Sequence, residues 1–276
     1  MPRFQRFLGS PIPQHLESYP ILQLTNDEKR ILGAAIISGT RISQKKTAEV
    51  TIKMSPRILK FPEKNNLIDA VLAKARSIGC KSVSSSPLER DSNLSVFQRA
   101  GFQHVKTEEL WVLTLENVKS RLDRLAPRIK LQERWSVRAP TEAELPQLSQ
   151  LCGAYEFLTE DGVRFDKATD KPGTYFNSQL SSVVVENERI LSALLVQAST
   201  GTNCHVKIRA TDPAEKRFSG VFNFATLYDS MSRTLAEGYQ TTTLTVNRAR
   251  DTETRNLAIR CKGRCLSARN LFHATL

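Results

Sequence analysis

A chain of 276 residues has room for one large domain or for two of roughly 130 to 150 residues, each able to bury its own core. Its apolar share and moderate Gly and Pro content fit a globular protein, and no apolar run approaches the ~20 residues of a membrane span. A net charge of +12 predicts affinity for something anionic, without choosing among nucleic acid, anionic lipid, a phosphorylated cofactor and an acidic protein.

The opening MPRFQRFLGS has basic residues with no sustained apolar stretch behind them, which argues against a secretory signal. Five scattered cysteines (Cys80, Cys152, Cys204, Cys261 and Cys265) read as reduced thiols of a cytoplasmic protein rather than a disulfide framework. Cys261 and Cys265 fall one helical turn apart, but the four histidines form no matching cluster, so no metal site is expected.

After an irregular stretch with Pro11, Pro13 and Pro20, strands are predicted near Ile21–Leu24 and Ile31–Ser38 across the polar turn Asn26-Asp27-Glu28-Lys29. Polar Gly39–Lys46 precedes a third strand, Thr47–Ser55. Leu67–Ile78 places Leu67, Val71, Leu72 and Ala75 on one face, the stripe of a core-facing helix, and Gly79 ends it. The β-rich Lys81–Ser86 follows, then a short helix Asn93–Ala100 stopped at Gly101, and Phe102–Val105 with Glu109–Leu115 reads as a closing hairpin. Glu116–Leu131 is basic and helical, ending near Pro127, and the division expected is 1–118, a connector 119–134, and 135–276.

In the second half Trp135–Arg138 reads as a strand, and Thr141 and Glu144 form a capping box for a helix Glu142–Tyr155. A loop over Thr159–Thr174 holds Asp161-Gly162 and Lys171-Pro172-Gly173. Ser181–Glu186 and Ile190–Ala198 pair across Asn187-Glu188. Strand His205–Thr211 alternates His205, Lys207 and Arg209 on one face against Val206, Ile208 and Ala210 on the other. A basic loop, helix Phe222–Glu237, Gly238 and strand Thr241–Val246 complete it.

One pattern therefore occurs twice: strand, proline, polar loop, helix, glycine, strand, once from Val50 to Ser86 and once from His205 to Val246. A repeat of this length points to two copies of one α/β domain, and a strand leading through a loop into a helix N-terminus is a common phosphate-binding device.

Here the sequence resembles the GCN5-related N-acetyltransferases in a tandem arrangement. The resemblance implies an α/β (α+β) fold of two such domains, each a mixed, mostly antiparallel sheet flanked by helices. In that family a strand ends in Val-x-Pro, and an Arg/Gln-x-x-Gly-x-Gly/Ala loop holds the coenzyme A pyrophosphate on backbone amides at a helix N-terminus. The second half matches with Thr211-Asp212-Pro213 and then Lys216-Arg217-Phe218-Ser219-Gly220-Val221-Phe222, where Arg217 and Gly220 fill the first two fixed positions and Phe222 replaces a small residue. Lys216, Arg217, Phe218, Ser219, Gly220 and Val221 are accordingly the expected cofactor-binding residues. Asn247 ends the strand expected to splay for the pantetheine arm, and Asn256 opens the segment Asn256–Gly263 that resembles the next family helix.

The first half has Ser55-Pro56 in the matching place, but Arg57–Asn66 holds no glycine and Pro62 removes a donor. Its NLSVFQRAGF segment resembles the family's Tyr-x-x-x-Gly-Phe with Phe97 in place of the tyrosine, so the first copy reads as degenerate. The second copy lacks that tyrosine too, around Ile259, Arg260 and Cys261.

By resemblance the expected activity is N-acyl transfer from acetyl-CoA or a longer acyl-CoA to a small amine, amino acid or peptide. The apolar richness of Gly220–Tyr239 leaves longer acyl groups open, and the basic surface would also suit an acyl carrier protein as donor. Deprotonation of the amine needs a base; His205 and Glu186 are the candidates, with Cys204 as an alternative acyl-carrying nucleophile. The competing reading is a catalytically inactive tandem module binding nucleic acid or an acidic protein. The basic runs Arg121–Lys130, Lys207–Arg217 and Arg248–Arg269 carry few aromatics, which places nucleic acid second.

Overall fold

A computed structural model describes residues 21–25, 30–38, 47–54, 64–85, 94–153, 162–167, 170, 173–199 and 201–276. The chain divides into two interleaved compact units. The first takes Met1–Glu109, Asn247–Arg250 and Ser267–Leu276; the second takes Leu110–Val246 and Asp251–Leu266.

In the first unit β1 (Ile21–Thr25), β2 (Ile31–Ser38) and β3 (Thr47–Met54) run antiparallel in succession. Helix α1 (Lys64–Ser77) then crosses to β4 (Ser82–Ser85), which pairs parallel to β3. Leu67, Val71 and Ala75 are buried as the helical spacing predicts, against Ile37, Val50 and Val83 of the sheet. Gly79 takes φ +82°, and the Gly79 and Cys80 amides donate to the Arg76 and Ala75 carbonyls, the paired bonds that close a helix through a left-handed residue.

Helix α2 (Leu94–Arg99) follows, and then β5 (Gln103–Thr114), one strand of 12 residues where the sequence predicts a hairpin. The polar run Lys106-Thr107-Glu108-Glu109 imitates a turn, yet its side chains have partners in the extended chain. Thr107 donates to Asn270 Oδ1 at 2.7 Å, and Glu109, 2 % exposed, pairs with Arg248 at 2.7 Å. The sheet order in this unit is β1-β2-β3-β4-β11-β5. Strand β11 (Arg264–Thr275), which the local pattern does not predict, pairs Phe272 with Ser85 of β4 and brings Phe272 against Phe97 at 5.7 Å.

The second unit starts with the end of β5, then α3 (Leu115–Leu125) and a 3-10 turn at Ala126–Arg128, where Pro127 stops the helix. After β6 (Ser136–Arg138), Thr141 and Glu144 form the expected capping box, with Arg138 bidentate on Glu144. The box opens a 3-10 turn, Glu142–Glu144, and helix α4 (Leu145–Cys152); Tyr155 lies outside the described residues. Strands β7 (Ser182–Glu186) and β8 (Arg189–Ala198) form the expected hairpin, and Asn187 and Glu188 both take positive φ, as a two-residue loop of right-handed twist requires.

Next come β9 (Asn203–Thr211), a 3-10 turn Pro213–Phe218, α5 (Ser219–Ala236), β10 (Thr241–Asn247) and α6 (Thr252–Arg260). The order is β5-β10-β9-β8-β7-β6, antiparallel from β6 to β9 and parallel between β9 and β10. Both units thus contain a strand, a helix ended by a positive-φ glycine and a second strand parallel to the first, which is the part of the predicted repeat that falls in the described residues. One face of the second sheet packs Val118 and Leu122 of α3, Met231 of α5 and Ala258 of α6. The other face packs Leu148 and Cys152 of α4 with Phe165 and Phe176.

Candidate functional site

The site is built where β9 and β10 part. Their parallel ladder registers Asn203–Val206 against Thr241–Leu244 and ends there, while β9 runs on to Thr211 and β10 to Asn247. At the same level β9 carries one extra residue against β8: Val206 pairs with Val196 and Ile208 with Leu195, leaving Lys207 bulged. A bulge bends the strand and re-aims the side chains beyond it.

This bulge corrects the expected alternation along β9. Cys204 and Val206 pack in the cluster with α5 and α6, whereas Ile208 and Ala210 pack in the cluster with α4. The side-chain period slips by one at Lys207. His205, opposite Gln197, and Arg209, opposite Leu194, therefore lie on different faces instead of sharing one.

Beyond the opening, Asp212 caps the next turn. Its Oδ1 accepts from the Ala214 amide at 2.9 Å and its Oδ2 from Arg189 at 2.5 Å, which holds its carboxyl below the usual carboxylate range. Helix α5 starts at Ser219 with no acidic residue in its first turn and continues from the 3-10 turn, whose Lys216 carbonyl accepts from the Ser219 amide, so the positive end of its dipole meets no carboxylate within that turn. Lys216, Arg217 and Gly220 are exposed, and a Cβ added to Gly220 would meet nothing within 4 Å. Phe222 is turned the other way: it is fully buried against Trp135 at 4.7 Å, so its bulk does not enter the loop. Phe218 caps the same ring at 4.8 Å, with the Arg217 guanidinium over Phe218.

The remaining expected site residues are dispersed. His205 lies in the paired part of β9, one residue before the opening, and its Nδ1 is 2.6 Å from Thr243 Oγ1. Burial, reinforced by the Lys207 charge, pushes its pKa down to about 4, so it is neutral and a weak proton acceptor. Glu186 ends β7 at the hairpin turn, opposite Arg189, and pairs with Arg134 at 3.1 Å. Eight residues of β8 separate the His205 and Glu186 levels, about 26 Å along the strand, so the two do not serve one reacting atom. Cys204 is fully buried and burial pushes its thiol pKa up, which removes it as an exposed nucleophile.

Asn247 belongs to the first unit, where its Oδ1 accepts from the Ala249 and Arg250 amides, and Asn256 is exposed on α6. Ile259 and Arg260 are exposed and Cys261 is buried. In the first unit Phe97 is a core residue; the segment 55–63 that leads to α1 lies outside the described residues. Sequence reasoning missed the contact between Arg209 and Thr254 of α6 and the Arg189 partner of Asp212. The Asp212 cap itself was within reach, since an acidic residue directly before a proline that opens a turn is a capping signal; its Arg189 partner, 23 residues earlier, was not. Among the described residues no group of His, Cys, Asp and Glu could hold a metal ion, and no helix is long and apolar enough to cross a membrane.

The His205 environment gives a pH prediction. The folded state keeps the ring neutral down to about pH 4, while an unfolded histidine takes up its proton near 6.5. Below the unfolded value the unfolded state therefore binds more protons, and stability falls as pH drops through this window by up to about 3 kcal/mol. Denaturant midpoints measured from pH 7 to pH 4 will show that slope, and His205→Gln will flatten it.

No family model matches the chain and no curated protein matches it. Solved structures do. A GCN5-related N-acetyltransferase from Sphaerobacter thermophilus superposes with a TM-score of 0.64 at 14 % identity, over 92 % of this chain and 80 % of its own. A tandem GNAT protein from the clavulanic acid biosynthesis pathway gives 0.54 at 10 %, over 94 % and 84 %. A GCN5-related glucosamine N-acetyltransferase region of a fungal β-N-acetylglucosaminidase gives 0.62 at 12 %, over 94 % of this chain and 34 % of that larger one. The chain has the fold of the GCN5-related N-acetyltransferases. Within that class it is similar to a tandem member, with a mixed, mostly antiparallel sheet flanked by helices in each unit.

Proposed function

We propose that the protein is an N-acyltransferase whose working site lies in the second unit and whose donor is acetyl-CoA or a longer acyl-CoA. The observation that carries this reading is the parting of β9 and β10 after Val206 and Leu244, at the bulge of Lys207 and directly before the Asp212–Phe222 turn. The N-terminal amides of α5, with Lys216 and Arg217 beside them, would hold the donor's pyrophosphate. Past Val206 the edge of β9 that faces β10 is released from ladder bonds, so its backbone can bind the amides of the pantetheine arm.

The chemistry is the attack of a neutral amine on the thioester carbonyl: a C–N bond forms, the C–S bond breaks, and the amine's proton ends on the departing thiolate or solvent. His205 and Glu186 stay the candidates for proton handling, as separate alternatives; their separation and His205's weak basicity favour an ordered water as the immediate acceptor. The acceptor is a small amine, an amino acid or a peptide. An acyl carrier protein could present the same arm, and its association would weaken with salt.

Calorimetric titration with acetyl-CoA and with longer acyl-CoAs tests the reading. Binding to at least one, in competition with coenzyme A, is expected. Absence of binding to all of them, together with nucleic-acid affinity that falls steeply with salt, would favour the non-catalytic module instead. The missing tyrosine at Ile259, Arg260 and Cys261 is the observation on that side.

A further inference from the structure

Resting on the reading of this opening as the donor channel, we propose that Arg209 and Thr254 form a strap across it, which must release to admit the pantetheine arm. Arg209 lies on β9 three residues past Val206, where the ladder to β10 has already ended. It pairs across to Leu194, so its side chain is on the sheet face that carries α5 and α6. From there its guanidinium donates to Thr254 Oγ1 in the first turn of α6. Helix α6 follows β10 and packs on that face through Leu257, Ala258 and Cys261. The bond therefore joins the strand on one side of the opening to the helix on the other.

Position decides what this contact does. The pyrophosphate end of the channel is at Ser219–Val221, and its narrow end is at Val206 and Leu244, so Arg209 stands between them at the level of the arm. Both partners are withdrawn from bulk water: Thr254 is 7 % exposed and Arg209 is half-buried. A hydrogen bond from a charged donor in such surroundings holds its geometry, and an entering arm has to displace it. The phosphate loop, by contrast, stays accessible with the strap closed, because Lys216, Arg217 and Gly220 are exposed. Ligands with the arm should feel the strap, and ligands without it should not.

The test uses the full-length chain and two variants that remove the strap from opposite ends, Arg209→Met and Thr254→Val, each checked by circular dichroism and thermal melting. Calorimetry with acetyl-CoA and with 3′-phosphoadenosine 5′-diphosphate, which keeps the pyrophosphate and the 3′-phosphate but has no arm, supplies the readout. Both variants should bind acetyl-CoA about five- to tenfold more tightly than the parent, the scale of one lost hydrogen bond. Their affinity for 3′-phosphoadenosine 5′-diphosphate should stay within about twofold of the parent's. Acetyl-CoA affinity that is unchanged or weakened in both variants overturns the strap while leaving the donor site intact. No binding of either ligand by any of the three proteins overturns the donor site and the strap with it. Acetyl-CoA binding that appears only in the variants supports both.

Discussion

Phe222→Ala is expected to destabilise the second unit by about 4 kcal/mol, the usual range for emptying a fully buried aromatic position being about 3 to 5. Phe222 is completely excluded from solvent. Its ring meets Trp135 edge-on at 4.7 Å and Phe218 at 6.0 Å, and its cluster includes Val184, Leu191 and Ala225. These neighbours come from β7, β8, α5 itself and the segments flanking it and β6, and they fix the first turn of α5 against the sheet. The void left by alanine cannot collapse easily, because the strands are held by ladders and Trp135 is pinned between Phe218 and Phe222. Phe222→Leu, which refills most of the volume, should lose only about 1 to 1.5 kcal/mol. Urea or guanidinium unfolding followed by circular dichroism measures both. A loss under about 1.5 kcal/mol for the alanine variant would mean the ring is not the anchor described. It would then have to face the loop, where the family pattern places a small residue.

Backbone geometry was legible in the sequence wherever a side chain reports it directly. Gly79 and Gly238 mark two helix ends because each sits at φ above +80° and allows the amides beyond it to bond back, Tyr239 to the Thr234 carbonyl in the second case. The capping box at Thr141 and Glu144 and the Asn187-Glu188 turn were legible for the same reason. The bulge was not. Val206 and Ile208 are both aliphatic, so the pattern along β9 continues unbroken while the faces exchange at Lys207; one residue feeds one core and the next feeds the other. Strand β5 reads as a hairpin because four polar residues in a row look like a turn unless their partners, Arg248 and Asn270, are known from far along the chain. Strand β11 pairs with β4, about 190 residues earlier, a choice that local periodicity does not encode. Of the candidate site, the loop residues were legible through their resemblance to a family motif. The proton-handling residues were not, since strand position alone gave no distance between His205 and Glu186.

Gly220→Glu is expected to lower acyl-CoA affinity by about two decades while leaving the fold intact, provided the α5 N-terminus holds the donor's phosphates. Both halves of that expectation follow from the local geometry. Gly220 lies within the first turn of α5 without a positive φ and has open space at its Cβ position, so a side chain enters without a clash. Glutamate is the better helix former by several tenths of a kcal/mol, and a negative charge in the first turn complements the dipole by about 0.3 to 1 kcal/mol. Stability should therefore hold or rise. Binding should not: the carboxylate competes for the same amides and faces the pyrophosphate at close range, where each like-charge pair opposes binding by about 1 to 4 kcal/mol between water-like and surface-like dielectric. About 3 kcal/mol corresponds to the two decades. Gly220→Ala, which fills the same space without charge, should change affinity less than about threefold. Calorimetry on the three proteins with acetyl-CoA separates charge from bulk. Equal affinity for the glutamate variant and the parent would remove the phosphates from this helix end, and alanine and glutamate variants that fail alike would assign the effect to steric contact instead. A glutamate variant that melts no lower than the parent yet binds at least about thirtyfold more weakly is the signature of an anion site made by backbone amides.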